Sequence, residues 1–172
     1  MRMMGKRIVG LVAVLVLAFS AVTMAAGANQ INRDDHVLQY NEIALGGIMV
    51  GMKRAQVEAI YGAPTERTEP AKSAALDEMM DRYTYGTSFQ VTFVGDTVMY
   101  INTSAHNGIA TPAGVTVGDP ADKITRTYGK PQRYTRYESG EESFVYRDPY
   151  DIHIGFSVEK GRITRIGIVG YE

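Results

Sequence analysis

Cysteine is absent from the 172 residues. No disulfide staples the fold and no thiol waits behind an export signal to accept a lipid, so stability must come from a hydrophobic core. Histidine is scarce: His36, His106 and His153 stand apart, with no second ligand at metal spacing. Asp34-Asp35-His36 is the one place where an acid directly adjoins a histidine, and it also reads as a solvated polar segment. No Gly-x-Ser-x-Gly elbow, His-Glu-x-x-His helix or glycine-rich phosphate cradle occurs. Two acids brought together by the fold would still make a glycosidase-like pair, but no recognisable catalytic constellation is present. The expectation is therefore a protein that is not an enzyme and carries no cofactor or metal.

Only one long apolar run is present. Arg2, Lys6 and Arg7 precede an uncharged stretch from Ile8 to Val22, and Ala26-Gly27-Ala28 offers a small-x-small cleavage site. This reads as a secretory signal peptide over residues 1–28, the run being shorter than the roughly 20 residues of a spanning helix; a retained anchor is the alternative. Loss of those three basic residues takes Lys+Arg from 18 to 15 against 19 acids, so the formal charge moves from −1 to −4. A mildly acidic, non-lipidated, exported chain argues against nucleic acid and anionic membranes as partners.

What the sequence does have is a pattern stated twice. Ile48-Met49-Val50-Gly51 and Tyr61-Gly62-Ala63-Pro64 return 67 positions later as Val115-Thr116-Val117-Gly118 and Tyr128-Gly129-Lys130-Pro131. In the second copy Asp119-Pro120-Ala121-Asp122 reads as a capped helix start, and Gly129 with Pro131 as its stop. The first copy stops likewise at Gly62 and Pro64, although Met52 is a poor cap. The buried stripes expected are Val57, Ile60 and Tyr61 in one helix and Ala121, Ile124 and Tyr128 in the other.

Period-two alternation follows each helix. Phe89 to Phe93 turns at Gly95-Asp96 into Val98 to Ile101; Ile152 to Val158 turns at Lys160-Gly161 into Ile163 to Ile168. Shorter strands are expected at Tyr83 to Tyr85 and Phe144 to Arg147, with Thr65 to Thr68 and Gln132 to Tyr137 beginning each sheet. The predicted fold is α+β: two tandem repeats, each a short helix packed on a three- or four-stranded antiparallel meander. The layout is a signal peptide at 1–28, a polar lead-in at 29–40, repeat one at 41–105 and repeat two at 107–172. Repeat one alone carries an insertion at 69–81, where Pro70 followed by Ala, Leu, Met and Glu predicts a short extra helix, or else a solvated loop.

The motif Val-Gly-x-x-x-x-x-Val/Ile-x-x-x-Tyr-Gly-x-Pro followed by a meander resembles the SmpA/OmlA module of BamE-like outer-membrane assembly lipoproteins. Its duplication is similar to the β-lactamase inhibitor protein. The resemblance covers 41–169 and implies a non-enzymatic extracytoplasmic module that binds another envelope or secreted protein. The alternative it implies is an inhibitor of a secreted or periplasmic hydrolase. No interface residue of either family can be matched here.

Of eleven tyrosines, several fall in the sheet region. Tyrosine buries much area at low rotamer cost and keeps a polar tip, which suits protein interfaces and sugar stacking, though it is also simply a good strand former. Tyr83, Tyr85, Tyr134 and Tyr146 are the candidate partner-binding residues.

Overall fold

A computed structural model of the chain describes residues 37–73 and 76–170; the signal segment 1–28, residues 29–36 of the lead-in and two residues of the insertion, 74–75, lie outside the described residues. In chain order the elements are α1 (Arg54–Tyr61), β1 (Glu66–Arg67), β2 (Ala71–Lys72), β3 (Met79–Tyr85), β4 (Phe89–Val94), β5 (Thr97–Thr103), α2 (Asp122–Tyr128), β6 (Arg133–Arg136), β7 (Glu142–Arg147), β8 (His153–Glu159) and β9 (Arg162–Val169). No helix among the described residues is long and apolar enough to cross a membrane.

The expected α+β pair of helix-on-meander repeats is overturned. All nine described strands belong to one antiparallel sheet in the order β1-β3-β4-β5-β9-β8-β7-β6, with β2 also paired to β3, so the described residues are mainly β with two short α-helices. The seam is β5 on β9, where Tyr100 faces Val169, Ile101 faces Ile168, Asn102 faces Gly167 and Thr103 faces Ile166. Each hairpin would otherwise end on an exposed edge of unpaired amides and carbonyls beside buried-type residues such as Ile101 and Ile168. Pairing the two edges removes both, and no local pattern in the sequence announces that partnership.

One core lies on one face of this sheet. Phe89, Val91, Phe93, Val98 and Ile101 from one side of the seam, and Ile154, Phe156, Ile163, Ile166 and Ile168 from the other, join Val57 and Ile124 of the helices in a single cluster. Leu38, Ile43, Leu45 and Ile48 from the segment before α1 are buried in it too. Of the expected helical stripes, Val57, Ile124 and Tyr128 are buried, whereas Ile60 is 53% exposed. The eight-residue α1 touches the core along a line too narrow to cover Ile60.

The helix ends follow their residues closely. Gly62 (φ 73, ψ −153) and Gly129 (φ 76, ψ −150) each terminate a helix in a region open essentially to glycine, donating to Glu58 O and Thr125 O. The starts differ from expectation. Gln56 Oε1 accepts the Lys53 amide at 2.7 Å ahead of α1. α2 begins at Asp122, and Asp119 instead binds back to the Thr116 amide (2.8 Å) and to Lys123 Nζ (2.9 Å), tying the loop to the first turn. The predicted insertion helix is replaced by strand: Ala71 and Lys72 pair with Met80 and Met79, which satisfies the β3 backbone that a helix would leave bare.

Candidate functional site

Three of the four candidate tyrosines point into the core. Tyr83 and Tyr146 are almost fully buried and Tyr85 nearly so. Tyr146 donates to Gly129 O at 2.9 Å and Tyr85 to Gly62 O at 3.4 Å, so each ties a helix-ending glycine to the sheet. Burial, then the neighbouring Glu58 carboxylate, pushes the Tyr85 hydroxyl up to about 12; burial likewise raises Tyr146. Tyr83 donates to Glu58 Oε1 at 3.0 Å. Only Tyr134 is presented to solvent, 49% exposed on the β6 edge with its ring set edge-on to Phe144 at 5.0 Å. These assignments remove Tyr83 and Tyr146 from any surface a partner meets.

Tyr85 reaches the surface where it lines a hollow of about 360 Å³ with Tyr61, Phe89 and Ile109. Its polar tips are already used: the Tyr61 hydroxyl donates to Gly46 O at 2.6 Å and that of Tyr85 to Gly62 O. The hollow is a seam between helix end and sheet.

The Arg54–Asp81 pair is also structural. Buried Asp81 accepts from Arg54 Nη1 and Nη2 at 2.8 and 2.7 Å and pairs with Arg67 Nε at 3.3 Å. Arg54 lies 4.1 Å from the Phe93 ring centroid and 4.9 Å from that of Tyr83, and its hydrogen bond to Asp81 raises its pKa further above its ordinary value. Every oxygen of Asp81 is engaged, so the cluster locks α1 to β3.

His36 lies outside the described residues. His106 Nδ1 sits 2.7 Å from Val117 O. His153 Nε2 sits 3.0 Å from Asp151 Oδ1, which also accepts from Arg147 Nη1 at 3.2 Å. The hydrogen bond from His153, with the Arg147 contact, holds the Asp151 carboxyl below its ordinary value. Among the described residues no group of three or more histidines and acids converges as a metal site.

Among the described residues no helix lies on the face of the sheet opposite the core, and the strand register lays that face out in rows. One row runs Arg82, Thr92, Tyr100, Val169, His153, Arg147. The next runs Thr84, Gln90, Asn102, Gly167, Gly155, Val145, Arg133, and a third runs Arg165, Ser157, Ser143, Thr135. Continued to β1, where Glu66 pairs with Thr84, these rows hold four arginines and one carboxylate, the latter at the opposite end of the strand order from Arg133, on a chain whose formal charge is −1. Gly155 and Gly167 sit side by side and leave a trough of about 250 Å³, walled by Arg133, Ser143, Ser157 and Arg165.

These residues were not among the sequence candidates. The signal for them was a glycine between apolar residues inside each strand, Ile154-Gly155-Phe156 and Ile166-Gly167-Ile168, a placement that weakens a strand and often marks a close approach.

No family model matches the chain, and no curated protein matches it. Among solved structures it is similar to a cysteine-rich secretory protein from Staphylococcus aureus, with TM-score 0.54 and 9% identity, over 78% of this chain and 50% of that one. The chain thus spans about half the length of that structure. Weaker similarities are to a DUF4309 family protein from Bacillus subtilis (TM-score 0.40, 14% identity, 69% of this chain and 78% of that one) and to an extracellular protein containing an SCP domain from Bacillus anthracis (TM-score 0.46, 6% identity, 70% and 44%). None of these three is described as of the SmpA/OmlA or β-lactamase-inhibitor type.

Proposed function

We propose that this chain is an exported, non-enzymatic protein-binding module that meets another envelope or secreted protein through the open face of its single sheet. The observation that carries this reading is that face itself: a sheet of nine strands that the described residues cover on one side only, with polar and half-buried side chains in register across the other. A large ordered surface without a covering layer is a platform for a partner, since its backbone is already fixed and binding costs little further order. Export accords with the basic-then-apolar start of the sequence and with the description of the S. aureus structure as secretory. The 172 residues contain no cysteine that could accept a lipid.

A photo-crosslinking amino acid placed at Thr92, Tyr100 or Ser157, with exposed Ile60 as the control on the helix side, tests the reading in the native host. The same crosslinked species is expected from the three sheet positions and not from position 60, and it should re-form from purified components. Crosslinks from position 60 alone, or none, would count against it. Stoichiometric loss of activity in a captured hydrolase would make the module an inhibitor.

A further inference from the structure

We infer that the Gly155–Gly167 trough receives an acidic, extended segment of the partner protein, laid across the strands between Arg133 and Arg165. This rests on the reading of the open face as a protein-binding surface and names the chemistry that face selects.

The glycine pair is the starting observation. Neither Gly155 nor Gly167 has a positive φ, and a Cβ built at either position meets nothing closer than 3.9 Å. The backbone conformation and the packing would both accept a side chain, and a larger β-former would strengthen the two central strands. Neither the backbone conformation nor the space for a Cβ therefore requires glycine at these positions. What the glycine pair does is bare two adjacent backbones on the open face and lower the floor between the flanking rows.

The charges say what fits. Arg133 and Arg165 have no ion pair or hydrogen bond among the described residues, while Arg147 and His153 are held by Asp151. The trough lining includes no carboxylate, and the Ser143 and Ser157 hydroxyls stand between the two arginines. Three strand spacings separate the Arg133 and Gly167 columns, about 14 Å at roughly 4.8 Å per strand. An extended peptide spans that distance between side chains four residues apart, about 14 Å, so two acidic side chains at such positions suit the two arginines. Arginine also favours carboxylate through paired N–H donors. The rest of the chain is net acidic, so an acidic partner is steered to this face rather than elsewhere.

The test uses the full exported chain and a fluorescein-labelled octapeptide alternating Glu and Val, with Gln/Val and Lys/Val counterparts. The Glu peptide should bind, weaken as salt is raised, and bind at least tenfold better than the Gln peptide, with none for Lys. Arg133→Ala and Arg165→Ala should each weaken it about tenfold, and Gly155→Val should abolish it with the circular dichroism unchanged, because a Cβ there meets nothing closer than 3.9 Å. Equal binding of the Glu and Gln peptides, indifference to all three substitutions, or displacement by inorganic phosphate or single-stranded DNA at lower concentration than by unlabelled Glu peptide would overturn the inference. Crosslinks from Ser157 that persist in the Arg133→Ala, Arg165→Ala double variant would overturn the acidic-segment assignment and leave the protein-binding reading standing. Absence of crosslinks from every open-face position would remove that reading as well.

Discussion

Asp81 shows how much a single buried charge decides in this protein. It is 5% exposed, and its carboxylate takes both arms of Arg54 and the side of Arg67. Removing one member of such a set leaves a desolvated charge without its partner, which typically costs about 3–5 kcal/mol. Arg54 keeps some solvent contact and its contact with the Phe93 ring, so Asp81→Asn should cost nearer 2–3 kcal/mol, read as a lowered urea midpoint with unchanged slope. A change below about 0.5 kcal/mol would mean the pair contributes no more than a surface ion pair. The same residue-level reading applies to the tyrosines. Their spacing made Tyr83 and Tyr85 share a face, but which face was set by α1, whose end offers Gly62 O to Tyr85 and whose Glu58 takes Tyr83.

At the scale of elements, α1 and α2 are too short to be stable alone and depend on their ends and on the sheet beneath. Gly129→Ala should cost about 1–3 kcal/mol in a thermal or urea melt, since alanine does not tolerate φ 76 with ψ −150. An unchanged midpoint would show that the turn relaxes into another conformation. Asp119 supplies a pH dependence. Burial works to raise its pKa, but the bonds from Lys123 and the Thr116 amide outweigh that and hold it below 3.8. A carboxyl with a depressed folded-state pKa stabilises fully above its unfolded value, near 3.9, and loses that contribution as pH falls through the folded value. Stability of wild type should therefore drop more steeply below about pH 4 than that of Asp119→Asn, whose curve should converge with it in acid. Parallel curves would show that the carboxylate bonds contribute nothing in solution.

At the scale of the whole molecule, the seam between β5 and β9 joins the two copies of a repeated sequence pattern into one sheet. Residues from both sides of the seam share the core. Urea unfolding should therefore follow one transition by both circular dichroism and tyrosine fluorescence. A fragment of residues 107–172 should fail to fold, because it would expose Ile166 and Ile168 beside an unpaired β9 edge. Two separated transitions, or a folded fragment, would restore independent units. The polarity of the open face is a property at this scale too: Arg82, Arg133, Arg147 and Arg165 come from four strands and gather on one side only through register.

What local physics could specify was readable in advance. Gly62 and Gly129 stop the helices because the backbone there needs glycine, the hairpin at Lys160-Gly161 turns with φ of 50 and 74, and the alternation of Phe89 to Phe93 and Ile152 to Val158 marks strands with one apolar side. Each depends on residues within a few positions of one another. The joining of the sheet, the conversion of the 69–81 insertion to strand at Ala71–Lys72, the burial of Tyr83, Tyr85 and Tyr146 and the exposure of Ile60 depend on which distant segment arrives beside them. Sequence period states that a residue has a face, and only the packed partner decides whether that face is core or surface; the trough between Gly155 and Gly167 exists solely because β8 and β9 pair in that register.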